Sequence, residues 1–253
     1  MKNSARKLVA AIACRNNGSR LYGKPLQNLD TINQITILDN IIACLKSLKV
    51  IDEIVLAISI GIDNHVFEEY AKKNNIAFIF GDERDVLSRL ISCGEFSKAT
   101  DIFRVTSESP FLYFDEVEEH WNNYIHLNLD ALFMDEIIDG CGFEIIKLSA
   151  LKKSHMQGEI RHRSELCSLY IRENAEQFNI KKVFPPKELI RKDLRLTVDN
   201  PEDLVVCRKV YQKFKDSAPR IPILEVVQFL DTQSNLIQLT LPFTESGYNL
   251  MYK

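Results

Sequence analysis

The chain has 253 residues, 45% of them hydrophobic and 26% charged, which is the composition of an ordinary folded protein. A chain of this length buries about three-quarters of its unfolded surface, so folding requires neither a disulfide nor a metal. Lys plus Arg is 32 against 35 for Asp plus Glu, a net charge of −3; this excludes a surface coated in positive charge for general nucleic-acid binding, but not a local basic pocket.

In chain order, the basic start (Met1 to Lys7) precedes an apolar run over 8–13 that Arg15 stops, too early for a signal-peptide core. No stretch reaches the ~20 apolar residues of a membrane-crossing helix. The expectation is a cytoplasmic protein with no membrane partner. Residues 8–13 read as a buried strand, followed by a polar loop from Cys14 to about Lys24. Ile37, Ile41, Ile42, Leu45 and Leu48 recur at helical spacing. Strands follow over 53–58 and 76–80, with a helix over 65–74 between them. A helix over 85–98, a strand over 102–105 and a helix over 115–126 continue the alternation. The fold class is α/β: a mostly parallel sheet flanked by helices on both faces, with ligands beyond the carboxyl ends of its strands.

After Asp130 the alternation loosens. A strand over 131–134, a turn at Gly140-Cys141-Gly142, a helix over 164–173 and a strand over 178–184 suggest a small α+β insertion over about 130–190 within one domain spanning 1–253. Residues 194–198 read as a further strand. Asp199-Asn200-Pro201 is a helix start, an oxygen-bearing cap ahead of a first-turn proline. Helices over 223–230 and 234–239 follow. The six cysteines (14, 44, 93, 141, 167 and 207) form no C-x-x-C or zinc-like pairing and read as buried thiols.

The segment Ala13 to Leu26 holds the chemistry. Arg15, Arg20 and Lys24 accompany Gly18 and Gly23 in a short loop leaving a buried strand. Backbone N–H groups of such a loop can wrap an anion while Arg and Lys supply counter-charge. Three clustered cations repel one another unless an anion lies between them, which suits a triphosphate. It is not a Walker A loop, since Pro25 stands where Ser or Thr is required, and Gly-x-Gly-x-x-Gly is absent. The alternative reading is a solvated basic loop.

Arg15 to Leu26 resembles the N-terminal signature of the cytidylyltransferases that include CMP-Kdo synthetase and the SpsF-like spore-coat-polysaccharide proteins, roughly A-R-x-x-S-x-R-L-P-G-K-x-L. Arg15, Arg20, Leu21, Gly23, Lys24 and Leu26 fall on it, while Tyr22 replaces a proline and Asn17-Gly18-Ser19 a Gly-Ser-Thr. Gly81 to Arg89 is similar to the family's G-x-x-x-D-V-L-x-R, Arg104 to Pro110 stands where it has R-x-T-G-D-x-P, and Arg195 to Leu204 nearly reproduces R-L-T-V-D-x-P-E-D-L. The likeness spans about residues 7–240.

The resemblance implies a nucleotidyltransferase of GT-A-like architecture that moves CMP from CTP to a sugar acid, sugar phosphate or other anionic small molecule in surface-glycan synthesis, releasing pyrophosphate. Neither nucleic acid nor membrane is an expected partner, and a homodimer is compatible with it. Arg15, Arg20 and Lys24 would hold the nucleotide, Arg15 and Lys24 also acting in catalysis, with Asp85 and Arg89 beside the pocket. Mg2+ would be held by Asp199 and Glu108. Asp199 has the alternative role of helix cap. Glu108 departs from the family's aspartate, and Ser107 from its glycine, so a bystander role stands beside that of ligand. On the acceptor side the family's R-E-H-V-T-P-Y is replaced by Arg163-Ser164-Glu165-Leu166-Cys167-Ser168-Leu169-Tyr170. Glu144, His162 and Arg163 are the acceptor candidates, His162 equally readable as a surface residue. Two other functions remain: a glycosyltransferase using a nucleotide-sugar, although Thr106-Ser107-Glu108-Ser109 lacks an Asp-x-Asp motif, and a nucleotide-binding regulator with a decayed metal site.

Overall fold

The computed structural model describes residues 6–18 and 20–251, so the first five residues of the basic start and Ser19 of the loop lie outside the description. The first strand, β1 (Leu8–Cys14), is buried on both sides: Leu8, Ala10, Ile12 and Cys14 enter one core, Val9 and Ala11 the other. A strand covered on both faces reads as an unbroken apolar run. A hairpin of β2 (Asn28–Asp30) and β3 (Ile35–Thr36) follows. Thr36 and Asp39 then form a capping box that starts α1 (Ile37–Ser47).

Next come β4 (Glu53–Ser59), α2 (Val66–Asn74), β5 (Ala77–Gly81), α3 (Val86–Phe96), β6 (Asp101–Thr106), α4 (Val117–His126), β7 (Ala131–Met134), β8 (Glu144–Lys147), α5 (Leu148–Gln157), α6 (Leu169–Glu173) and β9 (Ile180–Val183). The helices α7 (Pro201–Phe214), α8 (Ile223–Asp231) and α9 (Ser234–Met251) complete the chain.

Seven strands form one sheet in the order β5-β4-β1-β6-β8-β7-β9. All neighbouring pairs are parallel except those made by β8, which runs against β6 and β7. Side chains of α1, α2, α4, α7 and α8 join the core on one face, and those of α3, α5 and α6 the core on the other. The expected helix-covered, mostly parallel sheet is present. Residues 130–190 contribute β7, β8 and β9 to this same sheet.

Strand order reverses between β1 and β6: the chain moves from β1 out to β4 and β5, then returns to place β6 on the other side of β1. A crevice opens at such a switch point, past the carboxyl ends of the strands. Because β8 runs the other way, its first residue, Glu144, reaches the same edge and pairs in register with Arg104 of β6.

Three expectations are corrected. Residues 194–198 are not a strand, only a single bridge between Arg195 and Asp139. Leu196 N bonds Asp139 O (2.8 Å) while Val198 N bonds Glu108 O (3.0 Å), so the segment divides its hydrogen bonds between two partners and builds no ladder. The helix expected over 164–173 shrinks to α6, preceded by a 3-10 turn at Ile160–Arg163. The last helix runs on to Met251.

Candidate active site

Beyond Cys14 the chain turns over the crevice. Gly23, at φ 61°, is in the left-handed region and donates its N–H to Asn16 O (2.9 Å), closing the loop. A Cβ on Gly18 would stand 2.3 Å from Leu21 O, so only glycine fits there. Buried Asn16 ties the loop down: its N–H donates to Asn64 Oδ1 (2.8 Å) and its amide to Asp63 O. The loop therefore has a defined shape.

Its cations converge on one carboxylate. Lys24 Nζ lies 2.5 Å and Arg20 Nη2 3.3 Å from Asp199 Oδ1. Arg195 binds Asp199 Oδ2, and also Asp139 and Asp203. Buried Asp203 accepts the N–H of Asp199 (2.9 Å) and of Asn200 (2.8 Å) and completes a capping box with Asn200. Asn200, not Asp199, is thus the cap of α7, and the Asp199 side chain is left to the crevice. Burial pushes the Asp199 carboxyl up, but Lys24, Arg195 and Arg20 together hold it below the ordinary carboxylate range.

Glu108 is brought alongside by the Val198–Glu108 bond and by Ser109 Oγ donating to Thr197 Oγ1 (3.1 Å). Burial raises its carboxyl above the usual range; Lys24 opposes this and the Asp199 charge adds to it. Among the described residues its side-chain hydrogen bond comes from Ser107 Oγ (3.1 Å), and no cation stands within ion-pair distance.

Two adjoining cavities occupy the crevice. The first, about 310 Å3, is lined by Arg15, Arg20, Lys24, Arg89, Glu108 and Asp199, among others. The second, about 220 Å3, shares Arg20, Arg104, Glu108, Glu165 and Asp199 with it and adds Glu144 and Arg172. Arg89 is fully buried; its Nη1 donates to Ala57 O (2.8 Å) and Cys14 O (3.3 Å), while Nε has no partner and no carboxylate pairs with it among the described residues. Arg15 is exposed and meets Glu165 at the mouth.

The other candidates lie elsewhere. Asp85 caps α3 through Ser88 N (2.8 Å) and meets His155 Nε2 (2.7 Å), lining neither cavity. Arg163 donates to His155 O (3.3 Å) and lies 3.9 Å from Asp85, lining neither cavity. His162 is buried, its Nδ1 accepting from Glu159 N (2.7 Å) and its Nε2 meeting Glu173 (2.9 Å), also outside both cavities. Five charged lining residues were not singled out from the sequence: Arg104, Asp139, Glu165, Arg172 and Arg195. Arg104 and Arg195 each sit inside a motif quoted above, which was the available signal.

No family model matches the chain. An uncharacterized protein of Methanocaldococcus jannaschii is 24% identical over 242 residues, 96% of this chain and 98% of that protein. The spore coat polysaccharide biosynthesis protein SpsF of Bacillus subtilis is 24% identical over 233 residues, 87% of this chain and 92% of that protein. A cytidylyltransferase structure from Leptospira borgpetersenii superposes with a TM-score of 0.82 at 22% identity, over 92% of this chain and 97% of that one. The chain has the nucleotidyltransferase fold. CMP:2-keto-3-deoxy-manno-octonic acid synthetase complexed with CTP shares this nucleotidyltransferase fold with a TM-score of 0.60 at 14% identity, over 82% of this chain and 99% of that one. Among the described residues no helix is long and apolar enough to cross a membrane.

Proposed function

We propose that the protein is a cytidylyltransferase that transfers CMP from CTP to an oxyanion-bearing small molecule and releases pyrophosphate, in glycan biosynthesis. The observation that carries this reading is the meeting of Arg20 and Lys24 with Asp199 in a cavity at the sheet's switch point. CTP is the nucleotide supported by the cytidylyltransferase likeness and by SpsF.

The cations are held by carboxylates that can release them. The Arg15–Glu165 pair is open to solvent and worth little by itself. Lys24 and Arg20 exchange Asp199 for phosphate oxygens when a triphosphate enters the loop, whose tight internal packing at Gly18 and left-handed turn at Gly23 require glycine. Glu108 and Asp199 fit Mg2+: two neighbouring carboxylates, one of them with no cation paired to it, form the oxygen donor set that this ion takes along with phosphate and water. When bound, Mg2+ neutralises charge on the phosphates and on the departing pyrophosphate. The chain itself positions the two reactants in adjoining cavities and surrounds the phosphates with fixed cations. The acceptor oxyanion attacks the α-phosphorus, and the bond to the β-phosphate breaks with its electron pair on pyrophosphate.

Screening CTP, UTP, ATP and GTP with Mg2+ against a panel of anionic acceptors, reading pyrophosphate, tests this. Release from CTP with an acceptor supports it; hydrolysis of a nucleotide-sugar without such release contradicts it.

A further inference from the structure

The second cavity is not built to seize an anion. Glu144 is buried in its wall, and its carboxylate accepts from Arg104 Nη1 (2.9 Å), Ser168 Oγ (2.6 Å) and Arg172 Nη2 (3.1 Å). Arg172 also grips Asp135 through both Nη atoms (3.1 and 2.9 Å). Across the cavity Arg195 is bound to Asp139, Asp199 and Asp203. Burial pushes the Glu144 carboxyl up, but Arg104 and Arg172 hold it below the ordinary range, so it is ionised. Every guanidinium confined to this cavity is already matched by a protein carboxylate. An acceptor carboxylate would have to displace Glu144 and leave a buried charge without its partners, which is strongly unfavourable.

What the wall does offer is acceptor capacity and apolar surface. An ionised carboxylate has about four acceptor sites, and protein donors take three on Glu144. The remaining site suits a ligand hydroxyl. Met134, Phe143 and Leu166 supply apolar surface beside it. The volume of about 220 Å3 is below the roughly 300–1,000 Å3 of drug-sized sites and suits a single sugar or polyol unit. Arg20, half-exposed and lining both cavities, stands where the nucleotide's phosphates and an acceptor phosphate would meet, and is the cation shared between them. No histidine lines either cavity among the described residues; of the carboxylates there besides Glu144, Glu108 and Asp199 face the nucleotide's charge, Glu165 is paired with Arg15 and Asp139 with Arg195.

Resting on the cytidylyl-transfer reading, we propose that the acceptor is a phosphomonoester of a sugar or polyol, not a sugar acid. Its uncharged, hydroxylated body occupies the second cavity against Glu144, and its phosphate lies at the junction beside Arg20. The nucleophile is then an oxygen that is already ionised. It forms a P–O bond to the α-phosphorus as the α–β bond breaks, pyrophosphate takes the electron pair, and no proton has to be removed by a side chain.

The test begins with calorimetry of CTP and Mg2+ on the intact protein, because absence of CTP binding defeats the cytidylyl-transfer reading itself. With CTP binding established, pyrophosphate release is measured with sugar and polyol phosphates and with matched uronic and ulosonic acids. The expected result is a kcat/KM for at least one phosphate about 10²-fold or more above every acid, a threshold below the roughly 10⁴–10⁵ by which a site built to bond one polar group rejects an analogue lacking it. Preference for an acid overturns the proposal, and so does turnover of neither class by a protein that binds CTP. In Glu144→Gln, KM for the phosphate acceptor should rise about 10-fold or more while KM for CTP stays within about 2-fold, as expected for a contact made only to the acceptor. An unchanged acceptor KM in a folded variant removes Glu144 from that contact and overturns the placement.

Discussion

Lys24 and Asp199 are 175 positions apart in sequence, yet Lys24 Nζ lies 2.5 Å from Asp199 Oδ1. Both side chains are about four-fifths buried, at 19% and 20% exposure, so this is not a screened surface pair. One comes from the loop after β1 and the other from the turn before α7. Their meeting joins the two ends of the nucleotidyltransferase fold in one crevice. Under the proposed cytidylyl transfer, Lys24 is the cation for phosphate and Asp199 the carboxylate for Mg2+, and each would release the other when nucleotide and ion enter together.

Glu108 is the partner expected to share that ion. Glu108→Gln keeps the shape and removes the charge. The Mg2+ concentration at half-maximal CTP binding should rise by at least the roughly 10-fold that loss of even an outer partner costs a metal site. Glu108→Asp, which keeps the charge, should stay close to the parent. The same Mg2+ dependence in Glu108→Gln as in the parent would take Glu108 out of the metal site.

Asp203 shapes the site without entering it. Fully buried, it accepts from Asp199 N, Asn200 N, Asn200 Nδ2 and Arg195 Nε. Asp203→Ala strands these donors and leaves Arg195 short of one counter-charge, and the loss in unfolding free energy should be about 3–5 kcal/mol. Urea denaturation measures it. A loss under about 1 kcal/mol, the worth of one ordinary hydrogen bond, would contradict the assigned network.

His162, a sequence candidate for acceptor binding, has a structural position. His162→Ala leaves the Glu159 N–H without its partner and should lower stability by about 1–3 kcal/mol. CTP affinity, read by calorimetry, should be unaltered. A fall in affinity as large as that caused by a phosphate-loop substitution would return His162 to the site.

The same cluster carries a pH signature. Hydrogen bonds from Arg161 and then His162 lower the Glu173 carboxyl to about 2. Its folded value lies below the unfolded value of about 4.3, so the unfolded state takes up the proton first as pH falls. The stabilisation from Glu173 is therefore complete above about pH 5 and is lost as pH drops toward 2. A carbon-detected NMR titration should place the Glu173 midpoint well below the ordinary Glu range, and Arg161→Ala should move it back up. A midpoint at the ordinary value in the parent would show that the pair does not form.

The sheet's parallel half was legible because β1 and β4 are apolar runs and α1 repeats at helical spacing. The hairpin of β2 and β3 is too short, at three and two residues, to leave a periodic trace. At Glu144–Lys147 two charged ends enclose two apolar residues, which hid β8. Alternation misled at 194–198: Leu194, Leu196 and Val198 are buried as in a strand, but the backbone bonds to Asp139 and to Glu108, on different segments. Arg15, Arg20, Lys24, Glu108 and Asp199 reached one cavity because short motifs fixed their local geometry. Glu165 and Arg172 reached the site through tertiary folding of 160–173, where Arg161, His162 and Arg163 turned away from it.

The claim that the loop after β1 cradles a triphosphate is tested most directly by calorimetric titration of CTP with Mg2+ into the parent and Lys24→Ala proteins, with circular dichroism confirming that both are folded. The parent should bind, and Lys24→Ala should bind at least about 10-fold more weakly, a change of about 1.4 kcal/mol. Equal affinity in the two proteins, or no binding by the parent, would contradict it.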